Sequence, residues 1–368
     1  MRVLHVIPSL SPDEGGPSHV LPLMVEGLTR RGHEVVTATT HGRDELSPAG
    51  HSAHHSFPRQ SEFYKVSFPL AQWVAAEAKN FDLVHVHALF SFSSIESARL
   101  AGKSGTPYVI RPLGVLNEYG VRSRRRWLKR LSIMTREAPM IRKAAAMHFT
   151  SEAEKNEAER LGIPMNSQVI PLGIEIPDSL PNCESGKSPS VLFLSRIDPK
   201  KNIESLIKGW SHLDPDIRRT WRLKIAGSGD PEYVRMLQGL CGQLGLTSGI
   251  DWCGFVKGEE KQQILSDSSI FILPSFSENF GIAAVEAMGA GIPSILTEGV
   301  AVGAEAAQAN GCVLSNTDPE SITSVLEQLM RSPEQRKMVA ANGHAFARKH
   351  YSVSRMAEAL ESLYEGLV

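Results

Sequence analysis

Two kinds of apolar pattern alternate along the chain. The first kind is short and nearly continuous. RVLHVIP (2–8), EVVTATT (34–40), FDLVHVH (81–87), PYVIRPLG (107–114) and AAMHFT, ending at Thr150, carry apolar residues without a strict polar alternation. Such runs predict strands buried on both faces. The second kind is longer and periodic, as in the stretch from Pro17 to Arg31 and in SEAEKNEAERLG (151–162). Pro17 suits a first helical turn and Gly32 a C-terminal cap, while Pro22 is expected to weaken or kink that helix early. Ser151 and Glu154 have the spacing of a capping box, and Gly162 reads as a stop. Strand and helix alternating in this way predict a parallel sheet wrapped by helices, an α/β architecture.

The pattern breaks at PLGIEIPDSLPNCESGKSP (171–189), which has four prolines and little periodicity and reads as a linker. A second series follows: SVLFLS, RLKIAG, IDWCGF, SIFILPS, IPSILTE and GCVLS read as strands with helical segments between them, and 318–366 reads as mostly helix. A chain of 368 residues is long for one core. The expectation is two doubly wound parallel-sheet domains facing across a cleft, with ligands beyond the carboxyl ends of the strands.

Composition removes several classes of function. The formal net charge is −1, so no overall field favours nucleic acid. Cys183, Cys241, Cys253 and Cys312 lie far apart without metal-ligand spacing, and free thiols in a reducing cytoplasm are expected. MRVLHVIPSL is broken too soon by proline to read as a signal peptide, and no run approaches the roughly 18 apolar residues of a membrane span. A cytoplasmic protein is expected. The one basic cluster, RSRRRWLKR, holds Arg122, Arg124, Arg125, Arg126, Lys129 and Arg130 around Trp127 and Leu128. Two readings stay open for it: a solvated helix face, or peripheral contact with the inner face of a membrane or with an anionic lipid-linked acceptor.

Known phosphate motifs fail in turn. There is no GxxxxGK[ST] loop, and Gly227-Ser228-Gly229 meets Glu232 where a dinucleotide fingerprint needs its third glycine. Asp214-Pro215-Asp216 is a literal DxD, but it falls in a polar loop after a helix rather than at a strand end. What remains is dispersed. In SRIDPKKN, Arg196 ends a strand and Lys201 stands at a helix start. Their guanidinium fork and compact ammonium suit a diphosphate, although both also read as ordinary surface cations. In SFSENFGIAAVEAMGAGIP (275–293), Glu278 stands at the mouth of a small-residue helix and Glu286 inside it, with Gly281 between. A glycine there lets backbone N–H groups and the helix dipole approach an anion.

SRIDPKKN followed by LPSFSENFGIAAVEAMGAGIP resembles the donor-binding half of glycosyltransferase family 4, whose motif is two glutamates separated by seven residues. DEGGP resembles the family's first glycine-rich loop, DLVHVH its histidine-bearing strand, HFTSEAE and VIPLGIE its hinge region, and RPLGVL a stretch found in one branch. YSVSRMAEALESLYEGL resembles the segment that crosses back to the first domain. The likeness covers nearly the whole chain. It implies a GT-B fold with Rossmann-like domains at 1–172 (acceptor side) and 190–350 (nucleotide-sugar side), a linker at 173–189, and a C-terminal helix at 351–368 returning to the first domain.

The same resemblance implies retaining transfer of a hexose from a nucleotide sugar, UDP-hexose and in particular UDP-glucose, to a glycan or lipid-linked acceptor in polysaccharide or glycoconjugate assembly, with no required metal or other cofactor. Glu286 would accept from ribose hydroxyls and Glu278 from the donor sugar. The backbone amides of Asn279, Phe280, Gly281 and Ile282 would face the sugar and its diphosphate. Arg196 and Lys201 would stabilise the departing diphosphate, and Gly15 and Gly16 would let backbone amides approach the sugar or phosphate. His87 would meet the donor from the first domain, with His85 as buried structure, and Arg111 and Gly114 would line the acceptor side. No residue stands out as a covalent nucleophile, so the family's same-face substitution is the implied route. Two other classes stay in view: a non-transferring GT-B enzyme such as a nucleotide-sugar epimerase, and a nucleotide-sugar-binding protein without catalysis.

Overall fold

The computed structural model describes residues 1–11, 16–42, 53–116, 133–180 and 189–368. The chain divides into two compact units, Met1–Gly173 with Val353–Val368, and Ile174–Ser352. Each has the parallel sheet with flanking helices of a Rossmann-like domain. Among the described residues no helix is long and apolar enough to cross a membrane.

The first unit holds seven strands: β1 (Arg2–Val6), β2 (Glu34–His41), β3 (His54–Pro58), β4 (Leu83–His87), β5 (Tyr108–Arg111), β6 (Ala146–Phe149) and β7 (Ser167–Val169). Their order is β3-β2-β1-β4-β5-β6-β7, and every pairing is parallel. Strands β4, β5 and β6 are buried at every residue, which is why they carry continuous apolar runs. The two edge strands, HHSFP and SQV, are half exposed and have no apolar run, so their sequences gave no strand signal.

The first helix runs from Gly16 to Arg30, and Pro22 does not end it. Gly32 closes the turn at φ 89°. Gly27 is fixed by close approach to the last helix, Val353–Glu365: a Cβ there would lie 2.9 Å from Ala357 Cβ and Val353 Cγ1. That last helix buries Val353, Met356, Ala357, Leu360 and Tyr364, one apolar stripe at helical spacing. Glu361 on the same helix pairs with Arg31 and lies 2.8 Å from His33 Nε2. The capping box forms only in half. Ser151 Oγ accepts from Glu154 N at 3.2 Å, but the Glu154 carboxylate turns to Thr150 N, Thr150 Oγ1 and Gly114 N at 2.7–2.8 Å.

The second unit holds β8 (Ser190–Leu194), β9 (Arg222–Ala226), β10 (Ile250–Gly254), β11 (Ile270–Leu273), β12 (Ser294–Thr297) and β13 (Val313–Ser315), in the order β10-β9-β8-β11-β12-β13. The first residues of the proline-rich stretch are anchored in this unit: Ile174 N donates to Tyr351 O at 2.8 Å, and Ile174 and Ile176 lie against Gly289. The Gly227-Ser228-Gly229 segment has a structural explanation. It runs beside 195–197, with Ile197 N donating to Ser228 O at 2.8 Å, and a Cβ at Gly227 or Gly229 would fall within 2 Å of the Ser195 or Ile197 carbonyl oxygen. Asp214 caps a short helix, Pro215–Thr220, by accepting from Asp216 N at 2.9 Å, and it pairs with Arg331 at 3.0 Å. Together the Asp216 N–H and Arg331 hold its carboxyl below the usual range. Cys241, Cys253 and Cys312 are free thiols, and Cys183 lies outside the described residues.

Candidate active site

The donor-side residues are placed by two loops that follow adjacent strands, β8 and β11. After β8 the chain makes a single 3₁₀ turn, Pro199–Lys201, capped by Asp198, whose carboxylate accepts from Lys200 N at 2.9 Å. Asn202 then takes a left-handed conformation at φ 58°, which turns the chain into helix Ile203–His212. Its side chain donates to Pro274 O (3.2 Å) and Thr317 O (2.8 Å). Phe276 N donates to Lys200 O at 3.0 Å. These bonds stitch the two loops together and bring Lys201 to Glu278.

Lys201 and Glu278 form an ion pair with side chains 8% and 17% exposed. The family resemblance assigned both residues to one donor; the structure joins them directly. Glu278 is further held by its backbone, with N donating to Gly299 O (2.7 Å) and O accepting from Ala301 N (3.2 Å). Arg196 is exposed and makes no ion pair with a described residue, so its guanidinium is available to an anion.

Gly281 caps helix Ile282–Gly289 in the left-handed region at φ 86°, and a Cβ there would also lie 2.8 Å from Val300 Cγ1. The backbone N–H groups of Phe280, Gly281 and Ile282 donate to no described backbone carbonyl, as expected at a helix N-terminus. Glu286 is the fifth residue of the helix, among the buried neighbours Ala284, Val285, Ala287 and Met288. It does pair with a base, as a purely structural helix glutamate would: Lys261 Nζ donates to Glu286 Oε1 at 2.7 Å. Lys261, on helix Gly258–Ser266, was missed by sequence reasoning. KGEEKQQ carries no motif, and only the packing of two helices makes its fifth residue a neighbour of Glu286.

On the first unit, His87 is fully buried. Register pairs His5 with His85 and His87 with Arg111 across neighbouring strands, and the rings of His85 and His87 stack at 4.4 Å. His5 Nδ1 lies 2.9 Å from His87 Nε2, while His87 Nδ1 and His5 Nε2 have no partner. The neighbouring chain of bonds has one consistent direction. Ile170 O only accepts, so His148 Nε2 donates to it (2.8 Å). Neutral His148 then accepts at Nδ1 from His85 Nε2 (3.4 Å), and His85 Nδ1 accepts from the Tyr364 hydroxyl (2.7 Å). Burial and then the Arg111 charge hold His5 and His148 down at about 3, and burial lowers His85 and His87 as well.

Nitrogens of His5, His85 and His87 lie within 4.8 Å of one another, the spacing of a metal site. The donor set does not suit one. Both nitrogens of His85 are engaged, His5 and His87 bond each other, and the Arg111 guanidinium adds positive potential. Arg111 itself is enclosed, with Nη1 3.8 Å from Met24 Sδ and Nε without a partner; burial pushes it down to about 10. Gly114 takes φ 74° and gives its N–H to Glu154. Neither Arg111 nor the Gly114 N–H is therefore presented for an acceptor in this arrangement. Gly16 opens the first helix, while Gly15 and the 122–130 cluster lie outside the described residues.

The second of the two Rossmann-like units thus carries the Lys201–Glu278 pair in the loops after β8 and β11, Glu286 on helix Ile282–Gly289, and that helix's N-terminus capped by Gly281; the two-unit fold is of the GT-B class. Comparison with known proteins agrees. The model for the glycosyl transferase 4-like domain matches residues 15–173, and that for glycosyl transferases group 1 matches residues 181–346. The chain belongs to the family 4 type of glycosyltransferases. It is 29% identical over 176 residues to an uncharacterized glycosyltransferase of Methanocaldococcus jannaschii, an alignment covering 48% of this chain and 44% of that protein. It is 25% identical over 308 residues to the GDP-mannose:cellobiosyl-diphosphopolyprenol alpha-mannosyltransferase of Xanthomonas oryzae, covering 81% of this chain and 79% of that one. HepE of Anabaena, solved in complex with UDP, matches in fold with a TM-score of 0.79 and 17% identity over 100% of both chains.

Proposed function

We propose that this enzyme moves a hexose from a nucleoside diphosphate sugar to a glycan or lipid-linked acceptor with retention of configuration. The observation that carries the reading is the Lys201–Glu278 pair, with the exposed Arg196 on the same loop as Lys201 and the Gly281 cap on the same loop as Glu278. GDP-mannose is the donor proposed first, because a relative aligned over 81% of the chain is named for it. UDP-glucose, the expectation from sequence, is the competitor.

As the anomeric C–O bond breaks, its electron pair goes to the diphosphate. Arg196, Lys201 and the amides of Asn279 to Ile282 are proposed to stabilise that charge, each well-placed donor supplying roughly 3–4 kcal/mol in the transition state. The acceptor oxygen bonds to the same face of the anomeric carbon, and its proton passes to a leaving phosphate oxygen. Glu278 is proposed to accept from sugar hydroxyls and Glu286 from the ribose. On the first unit, His87 is proposed to meet a sugar hydroxyl only in an arrangement that uncovers Nδ1, which is enclosed here. The fixed cations take the role a divalent ion has elsewhere, so activity is proposed to survive EDTA.

The test is a donor screen with a diphosphopolyprenol-linked glycan as acceptor. Release of GDP from GDP-mannose, with α-linked product by proton NMR and no loss in EDTA, is expected. A β-linked product would overturn retention, and activity abolished by EDTA and restored by Mn²⁺ would overturn the metal-free route. UDP-glucose as the better donor would overturn the choice of base and sugar.

A further inference from the structure

We infer that Lys261 is a specificity-determining residue of the donor site, which reads the ribose diol jointly with Glu286 and so sets the preference for ribonucleotides. The inference rests on Glu286 being the ribose carboxylate and goes beyond it by assigning a second residue.

Most described ion pairs with both partners well exposed join near neighbours in sequence or residues on adjacent strands, such as Arg219–Asp216, Arg355–Glu358 and Arg2–Glu34. Lys261–Glu286 links two separate helices, as Arg31–Glu361 does, and its side chains are only 29% and 21% exposed; what sets it apart is that its carboxylate belongs to the motif helix whose cap is Gly281. Holding a four-carbon ammonium stem in that geometry costs side-chain entropy. A half-exposed pair recovers little of that in stability alone.

The hydrogen-bond inventory suggests what the arrangement can do. An ammonium has three N–H groups, and one is committed to Glu286 Oε1. Among the described residues the other two, and Glu286 Oε2, have no partner. A lone carboxylate only accepts. The pair instead presents an acceptor and a donor side by side. A vicinal cis-diol is the matching group: one hydroxyl donates to Oε2, while the oxygen of the other accepts from Lys261. Removing one hydroxyl leaves a charged group desolvated without its partner, the situation in which hydrogen bonding discriminates most strongly.

The test compares the binding of UDP and GDP with that of 2′-deoxy-UDP and 2′-deoxy-GDP by titration calorimetry, using the full-length wild type and the variants Lys261→Met, Lys261→Arg and Glu286→Gln. For whichever base binds more tightly, the wild type is expected to prefer the ribonucleotide by about tenfold, the scale of one hydrogen bond to a charged group. Lys261→Met should weaken the ribonucleotide by a similar factor and narrow the preference to about threefold or less, and Lys261→Arg should restore most of both. Donor KM should rise in Lys261→Met while kcat stays within about twofold, because the ribose is held alike in both states. Equal weakening of ribo- and deoxyribonucleotide would make Lys261 a structural partner only and overturn the inference. Wild-type binding by Lys261→Met beside weakened binding by Glu286→Gln would overturn it while leaving the donor site standing. Unchanged binding by Glu286→Gln would overturn the donor-site assignment itself.

Discussion

Acid should loosen the first unit well before it touches the second. His5, His85, His87 and His148 are fully buried around Arg111, and burial and that charge depress all four, His5 and His148 to about 3. Each imidazole therefore binds its proton more weakly when folded than in the unfolded chain, where the pKa is about 6.5. Their contribution to stability is complete above about pH 6.5 and is lost as pH falls toward about 3. At about pH 5 the unfolded form of His5, and likewise of His148, is favoured by RT ln(1 + 10^1.5), about 2 kcal/mol. His5 and His148 together account for about 4 kcal/mol, and His85 and His87 act in the same direction. A domain's whole stability is only about 5–15 kcal/mol, so the loss is large. Hydrogen exchange read by mass spectrometry, corrected for intrinsic rates, resolves the two units in one experiment. Peptides from β1 and β4 should lose several kcal/mol of protection between about pH 7.5 and about pH 5, while those from β8 and β11 change far less. A change under about 1 kcal/mol in β1 and β4, or an equal loss in both units, would refute the assignment of neutral buried histidines.

Lys201→Ala should lower kcat by about 10²–10³-fold, more than it weakens donor binding, because charge on the diphosphate grows as the bond breaks; a purely ground-state effect on KM would contradict this. Glu286→Ala should show the opposite split, raising donor KM more than it lowers kcat in steady-state kinetics. Gly27→Ala forces a Cβ to within 2.9 Å of Ala357 and Val353, and should cost about 1–3 kcal/mol in urea unfolding; a neutral result would mean that the last helix shifts freely. Replacing Arg124, Arg125 and Arg126 with Ser should leave nucleotide affinity unchanged and reduce salt-sensitive binding to anionic liposomes. Equal liposome binding by the variant and wild type would leave that cluster as a solvated face.

Much of the architecture was legible because buried parallel strands must be apolar throughout. Each of the eleven runs read as strands coincides with a strand, from RVLHVIP to GCVLS. The edge strands HHSFP and SQV were missed because a half-exposed strand has no such constraint. Pro22 lies inside the helix Gly16–Arg30 as its seventh residue and does not end it. The glutamate pair and the two cations were legible as chemistry at strand ends. Their partners were not, because a hydrogen bond depends on side-chain reach across loops and not on spacing. Ser151 and Glu154 illustrate the limit: the cap formed as the pattern requires, yet the carboxylate went to Thr150 and Gly114.

By itself the sequence determined the local quantities. Periodicity set strands and helices, glycine and proline set their ends, and residue type set which groups could bind phosphate or sugar. Tertiary structure decided which of those groups meet. It joined Lys201 to Glu278, gave Glu286 to Lys261, and turned His87 inward onto His5 beside a cation, Arg111, to which no carboxylate among the described residues is bonded. The physical reason is range. Backbone preferences act over a few residues, whereas these contacts join residues 25 to 82 positions apart and exist only once sheets and helices have packed.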